Sequence, residues 1–142
     1  MGMLEVSVSR AIAADAERVA ALMFDANKDA YWVGGIRHSE ILTQGSLAVG
    51  SKVRHDGGFL WKKFSWVTEI VALEPGRTMA MKFLSGPFKG GVTYSVAADG
   101  PGCTASIEIT GKASFAAPFM ALMMRRSLRA DLGRLQKLAV NK

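Results

Sequence analysis

The chain has 142 residues, a formal net charge of +6 and one cysteine, Cys103. That length suits one domain over residues 1–142, large enough to bury roughly 68–70% of its unfolded surface. The lone cysteine excludes an intrachain disulfide framework and a Cys-only zinc site, and 49% hydrophobic with 21% charged residues excludes a disordered chain.

Leu4, Val6 and Val8 alternate with Glu5, Ser7 and Ser9, the period of a half-buried strand. Asp15 then offers an N-cap, and Glu17 places a negative charge where the helix dipole favours it. Val19, Leu22 and Met23 follow at i, i+3 and i+4, so a short amphipathic helix is predicted over roughly residues 16–24. A second short helix or turn leads to Trp32 before Gly34 and Gly35 break it.

From Ser39 to Ala113 the pattern is strand punctuated by turns, which are predicted at Gly45–Gly50, Gly57-Gly58, Pro75-Gly76, Gly86–Gly91 and Asp99–Gly102. Period two puts Phe64, Trp66 and Ile70 on one side of a long strand, with Lys63, Ser65 and Glu69 on the other. Met79, Met81 and Phe83 share a face, as do Val92, Tyr94 and Val96, and Ile107 and Ile109 oppose Ser106, Glu108 and Thr110. Strands in succession with short connections point to an antiparallel meander.

A long helix over about Pro118–Ala139 closes the chain, its proline near the first turn where a missing N–H costs least. Met120, Met124, Leu128, Leu132, Leu135 and Ala139 form its apolar stripe, with Arg125, Arg126, Arg129, Arg134 and Lys137 mostly away from it. The order is therefore α+β: a strand, two short helices, about six strands and one long helix. A twisted sheet with one apolar face needs a cover, and the last helix is the only predicted element long enough. Where the sheet curls around it, a concave apolar space opens, the usual form of a small-molecule site.

Residues 112–142 hold seven Lys and Arg against one acid, Asp131. Such asymmetry marks nucleic-acid or membrane binding, or simply a solvated helix face. The helical spacing of the arginines and the lack of interleaved aromatics support the solvated face, so no nucleic-acid partner is expected. The longest apolar run, the ten residues Phe115–Met124, is too short for a transmembrane segment. With no export signal in the N-terminal residues, the expected location is cytoplasmic.

His38 and His55 lie in no metal-ligand spacing, and nucleotide-binding glycine motifs and a Gly-x-Ser-x-Gly elbow are absent, so neither metal nor cofactor is expected. Cys103 reads as a small core or turn residue, with no neighbouring base in sequence to activate it. His55 shares strand parity with Val53. It either points inward, as a ligand hydrogen-bond partner or general base, or sits satisfied at a strand end beside Gly57-Gly58. Tyr94 either presents its hydroxyl to a cavity or anchors the core. These two are the only catalytic candidates.

Several stretches together resemble one known family. They are Ile12-Ala13-Ala14-Asp15-Ala16-Glu17-Arg18-Val19, then Asp25 followed seven residues later by Trp32, and Val49-Gly50-Ser51. Glu69-Ile70-Val71-Ala72-Leu73-Glu74-Pro75-Gly76-Arg77 and Gly102-Cys103-Thr104 complete the set. Over essentially its whole length the chain resembles the START/Bet v 1-like (SRPBCC) superfamily, which includes polyketide cyclase/dehydrase-like proteins. The resemblance implies the helix-grip fold, a seven-stranded antiparallel sheet curled around the long C-terminal helix, with a cavity for an apolar ligand. Members include lipid and sterol carriers, hormone binders and aromatase/cyclases, and the fold does not choose among them.

The expected cavity wall comprises Trp32, His55, Phe64, Trp66, Met79, Met81 and Phe83, with Tyr94, Ile107, Met120, Met124 and Leu128. Five of the eight methionines, Met123 among them, fall on the last helix and its facing strands, which suits an adaptable pocket. The expected function is binding or carriage of a hydrophobic small molecule, such as a lipid, polyketide or aromatic metabolite, by a monomer or homodimer. The alternatives are a cyclase/dehydratase-like acid–base enzyme, or a partner-binding module that uses the basic face of the last helix.

Overall fold

The computed structural model describes residues 2–59, 62–86, 88–113 and 117–140. The chain begins with β1 (Gly2–Ile12), α1 (Ala16–Met23), a single 3-10 turn (Ala26–Lys28) and α2 (Asp29–Trp32). Six strands follow: β2 (Ile36–Ile41), β3 (Lys52–Phe59), β4 (Lys62–Glu74), β5 (Thr78–Ser85), β6 (Phe88–Asp99) and β7 (Gly102–Ala113). The last element is α3 (Ala117–Val140). All seven strands belong to one antiparallel sheet, ordered β1-β7-β6-β5-β4-β3-β2.

Local chemistry accounts for the helix starts. The Asp15 carboxylate accepts the Arg18 backbone N–H at 2.9 Å, and Asp25 accepts that of Asn27 at 3.0 Å. Val19, Ala20 and Met23 form the buried face of α1. The alternating residues of β1 supply Leu4, Val6 and Val8 to the core, where Val96, Ala105, Ile107, Leu132 and Leu135 join them.

Helix α3 packs mainly along β1 and also touches α1, α2 and β7. It therefore packs most closely on one margin of the sheet, and the inner faces of the strands further across share a cavity with its middle. That offset leaves a hollow.

The turn predicted at Gly57-Gly58 is strand instead, and the one predicted at Gly86–Gly91 is shorter than expected, with Gly86 between β5 and β6. Gly57 and Gly58 lie inside β3, and Gly90 and Gly91 inside β6. The cause is a neighbouring backbone rather than a change of direction. A Cβ on Gly57 would sit 1.9 Å from the Gly35 carbonyl oxygen, and one on Gly91 2.4 Å from that of Met81. Gly58 N–H in turn donates to the Gly35 carbonyl at 3.0 Å. Gly57→Ala is expected to cost about 1–3 kcal/mol through overpacking, lowering the melting temperature by about 3–10 °C. An unchanged melting curve would contradict this account.

Candidate functional site

The inner faces of β3–β7, together with α2 and the middle of α3, surround a cavity of about 150 Å³. An apolar cavity of that size holds roughly one benzene ring. Trp32 of α2 lines it, as do His55 of β3 and Phe64 and Trp66 of β4. Met79, Met81 and Phe83 of β5 face the same space, with Tyr94 of β6 and Ile107 of β7. From α3 come Met124 and Leu128.

Met120 is not part of this wall but is buried in the core. Residues four apart on a helix advance by about 40°, so Met120 is turned about 80° from Leu128. A shallower depression of about 640 Å³ beside α1 shares Leu47 and Met79 with the cavity.

The polar part of the wall was only half visible in the sequence. His55 is 5% exposed and held from both sides. Its Nδ1 lies 3.0 Å from Ser39 Oγ, and its Nε2 lies 3.0 Å from Thr68 Oγ1. The ring stacks on Trp66 with centroids 5.4 Å apart. Asp29, the first residue of α2, is equally buried and brings its Oδ2 to 3.7 Å from His55 Nδ1, with Ser39 Oγ donating to it at 3.3 Å.

Burial decides the charge states of this pair. It pushes the Asp29 carboxyl up to about 7, against the Ser39 hydrogen bond and with a further push from Asp25. It pushes the His55 imidazole down to about 4, overriding the attraction of Asp56. His55 is therefore neutral at pH 7, and its approach to Asp29 is not an ion pair.

The hydrogen bonds form a chain with a direction. With Asp29 ionised, Ser39 donates to it, His55 Nδ1–H donates to Ser39, and Thr68 donates to Nε2. With Asp29 protonated at Oδ2, every donor in the chain reverses. The protonation of Asp29 and the tautomer of His55 are thus linked.

Asp131 of α3, 1% exposed, also lines the cavity. It accepts the Gly34 N–H at 3.0 Å and pairs with Arg134, whose Nε donates to the Trp32 carbonyl at 3.0 Å. Burial raises the Asp131 carboxyl despite the Gly34 N–H and the Arg134 charge. Arg134 stays exposed, as its helical spacing implies, while its guanidinium clips the end of α2 onto α3. Arg126, Arg129 and Lys137 are exposed.

Tyr94 packs against the Trp32 edge with centroids 5.4 Å apart. Burial, with the charges of Asp29 and Asp131, holds its hydroxyl well above the usual phenol range, so it remains a neutral phenol. Cys103 is buried, and burial likewise raises its thiol. Among the described residues, no three His, Cys, Asp or Glu side chains gather as a metal site would require.

Asp29, Ser39, Thr68 and Asp131 are among the site residues that sequence reasoning missed. Asp131 did carry a signal. An acid three residues after Leu128 and four before Leu135 sits on the apolar stripe, where a charge needs a reason.

The sequence matches, over residues 3–140, the family described as polyketide cyclase / dehydrase and lipid transport. No curated protein matches it significantly. Among solved structures it is similar to the Zhui aromatase/cyclase from Streptomyces sp. R1128, at 18% identity and a TM-score of 0.83, covering 97% of this chain and 94% of that one. It is also similar to a START superfamily protein from Mycobacterium smegmatis, at 17% identity and a TM-score of 0.85, covering 97% of both chains. The protein TTHA0849 from Thermus thermophilus is 18% identical with a TM-score of 0.82, covering 97% of this chain and 99% of that one. Identities this low establish the shared helix-grip fold and nothing finer.

Proposed function

Because the chain belongs to the polyketide cyclase / dehydrase and lipid transport family, we propose that it binds a hydrophobic small molecule in the cavity between sheet and α3. It would act as a cytoplasmic carrier or binding protein, as one domain without metal or cofactor. One observation carries this reading: a hollow of about 150 Å³ with aromatic, methionine and aliphatic walls has buried polar groups in its lining.

Burying a ring of about 150 Å² contributes about 4 kcal/mol before the costs of association. Asp29, His55 and Tyr94 would then orient the ligand by hydrogen bonding. Native mass spectrometry of the purified protein is expected to show a bound apolar molecule, or one taken up from an added aromatic set. Repeated failure of both would refute the reading.

A specific arrangement favours the cyclase/dehydratase-like alternative. Asp29, with its carboxyl at about 7, stands 3.7 Å from neutral His55 in the wall and can give and take a proton near neutrality. Turnover of an aromatic polyketide substrate that survives both His55→Ala and Tyr94→Phe unchanged would remove those two residues from any such mechanism.

A further inference from the structure

The chain carries 18 Lys and Arg against 12 Asp and Glu. The cavity wall reverses that balance. Among the described residues it includes Asp29 and Asp131 and no Lys or Arg.

The two acids differ in what answers their charge. Asp131 has Arg134 and the Gly34 N–H. Asp29 has the Ser39 hydroxyl and His55, and Asp25 adds a like charge. The other titratable groups around it are Tyr94 on β6 and the Asp131–Arg134 pair on α3, and Lys28, next in the chain, lies over the Tyr31 ring. The walls also present the aromatic rings of Trp32, Tyr94 and Trp66, whose faces attract cations.

We propose that the ligand is a small apolar ring bearing a protonated amine, which lies against Asp29 and the neighbouring aromatic rings. This rests on the reading that the cavity binds a small apolar molecule, and it names the polar end of that molecule. An ammonium group supplies the counter-charge that Asp29 lacks, whereas a carboxylate would meet two acids. Binding also has a remote effect. Once the ammonium ionises Asp29, Ser39 donates to it, and His55 is fixed as the Nδ1–H tautomer with Nε2 accepting from Thr68.

The test is calorimetric titration of the full chain with benzylamine, benzyl alcohol and benzoate, all ring-sized. At pH 7.5 benzylamine is expected to bind at least ten-fold more tightly than benzyl alcohol, and benzoate more weakly than either. Benzylamine affinity is expected to rise several-fold from pH 6 to pH 8 as Asp29 ionises, with benzyl alcohol affinity level. Asp29→Asn is expected to erase the preference, lowering benzylamine affinity at least ten-fold. The ¹⁵N shifts of the His55 ring provide a readout in the wild type, moving towards the Nδ1–H tautomer on benzylamine binding, even where the variant does not fold.

Equal affinities for amine and alcohol, or a preference that survives Asp29→Asn, would overturn the amine proposal while leaving the cavity reading intact. Binding of none of the three would overturn both.

Discussion

Asp29→Asn is expected to gain stability on the wild type as the pH rises, by up to about 4 kcal/mol between pH 4 and pH 7. The wild-type carboxyl titrates at about 7 when folded against 3.8 in its ordinary environment. Its contribution to stability is therefore complete below 3.8 and is lost as the pH rises through about 7. Asparagine has no proton to lose, so the variant escapes that decline.

His55 behaves in the opposite sense. Its folded value of about 4 lies below the ordinary 6.5, so its contribution is present above 6.5 and is lost as the pH falls through about 4. His55→Gln is accordingly expected to lose stability relative to the wild type as the pH rises from 4 to 6.5, by up to about 3 kcal/mol. In the wild type the two slopes nearly cancel over that range. The folded pair keeps one proton on Asp29, and the unfolded pair keeps one on His55. Denaturant unfolding at half-unit pH steps measures all three curves. A variant curve parallel to the wild type would show that its group is not buried as described.

Trp32→Ala is expected to cost about 3–5 kcal/mol, lowering the melting temperature by about 10–15 °C. The side chain is 0% exposed, its edge meets Tyr94, and its carbonyl is held by Arg134. Trp32→Phe is expected to cost much less, because it keeps an aromatic ring in place. It also removes the indole Nε1–H, which has no hydrogen-bond partner among the described residues. Tyr31→Ala, at an adjoining residue that is 64% exposed, is expected to stay within about 0.5 kcal/mol. Equal losses at the two positions would refute the account of Trp32 as a packed wall.

The apolar wall was legible in the sequence because strand parity is a local signal. Met79, Met81 and Phe83, or Phe64 and Trp66, declare their common face by spacing alone. The polar partners were hidden by explanations that sufficed locally. Asp29 at a helix start reads as a dipole partner, and Thr68 shares parity with Trp66 and Ile70 yet is polar, so neither suggests a buried contact with His55.

The glycine pair at 57 and 58 failed for a related reason. Adjacent glycines signal a turn by composition, whereas their cause here is a carbonyl on Gly35, more than twenty residues away. Met120 failed on geometry, since a four-residue stripe drifts around its helix. Arg134 is exposed as its spacing implies, but its contacts with Asp131 and the Trp32 carbonyl arise only where α2 docks on α3.

The place of β1 in the sheet has a consequence for synthesis of the chain. Its partner is the last strand, with Ile12 opposite Cys103 and Gly2 opposite Ala113. At about 5–20 residues per second, a ribosome needs several seconds or more to deliver β7 after β1 has emerged. Leu4, Val6, Val8 and Ile12 have no native strand partner during that interval, and the helix that packs on them is made after β7. The sheet can thus grow from β2 to β6 as hairpins, but its β1 edge closes only after β7 has been made. Pairing across so large a sequence separation carries a loop-closure cost that the hairpins between β2 and β6 do not meet.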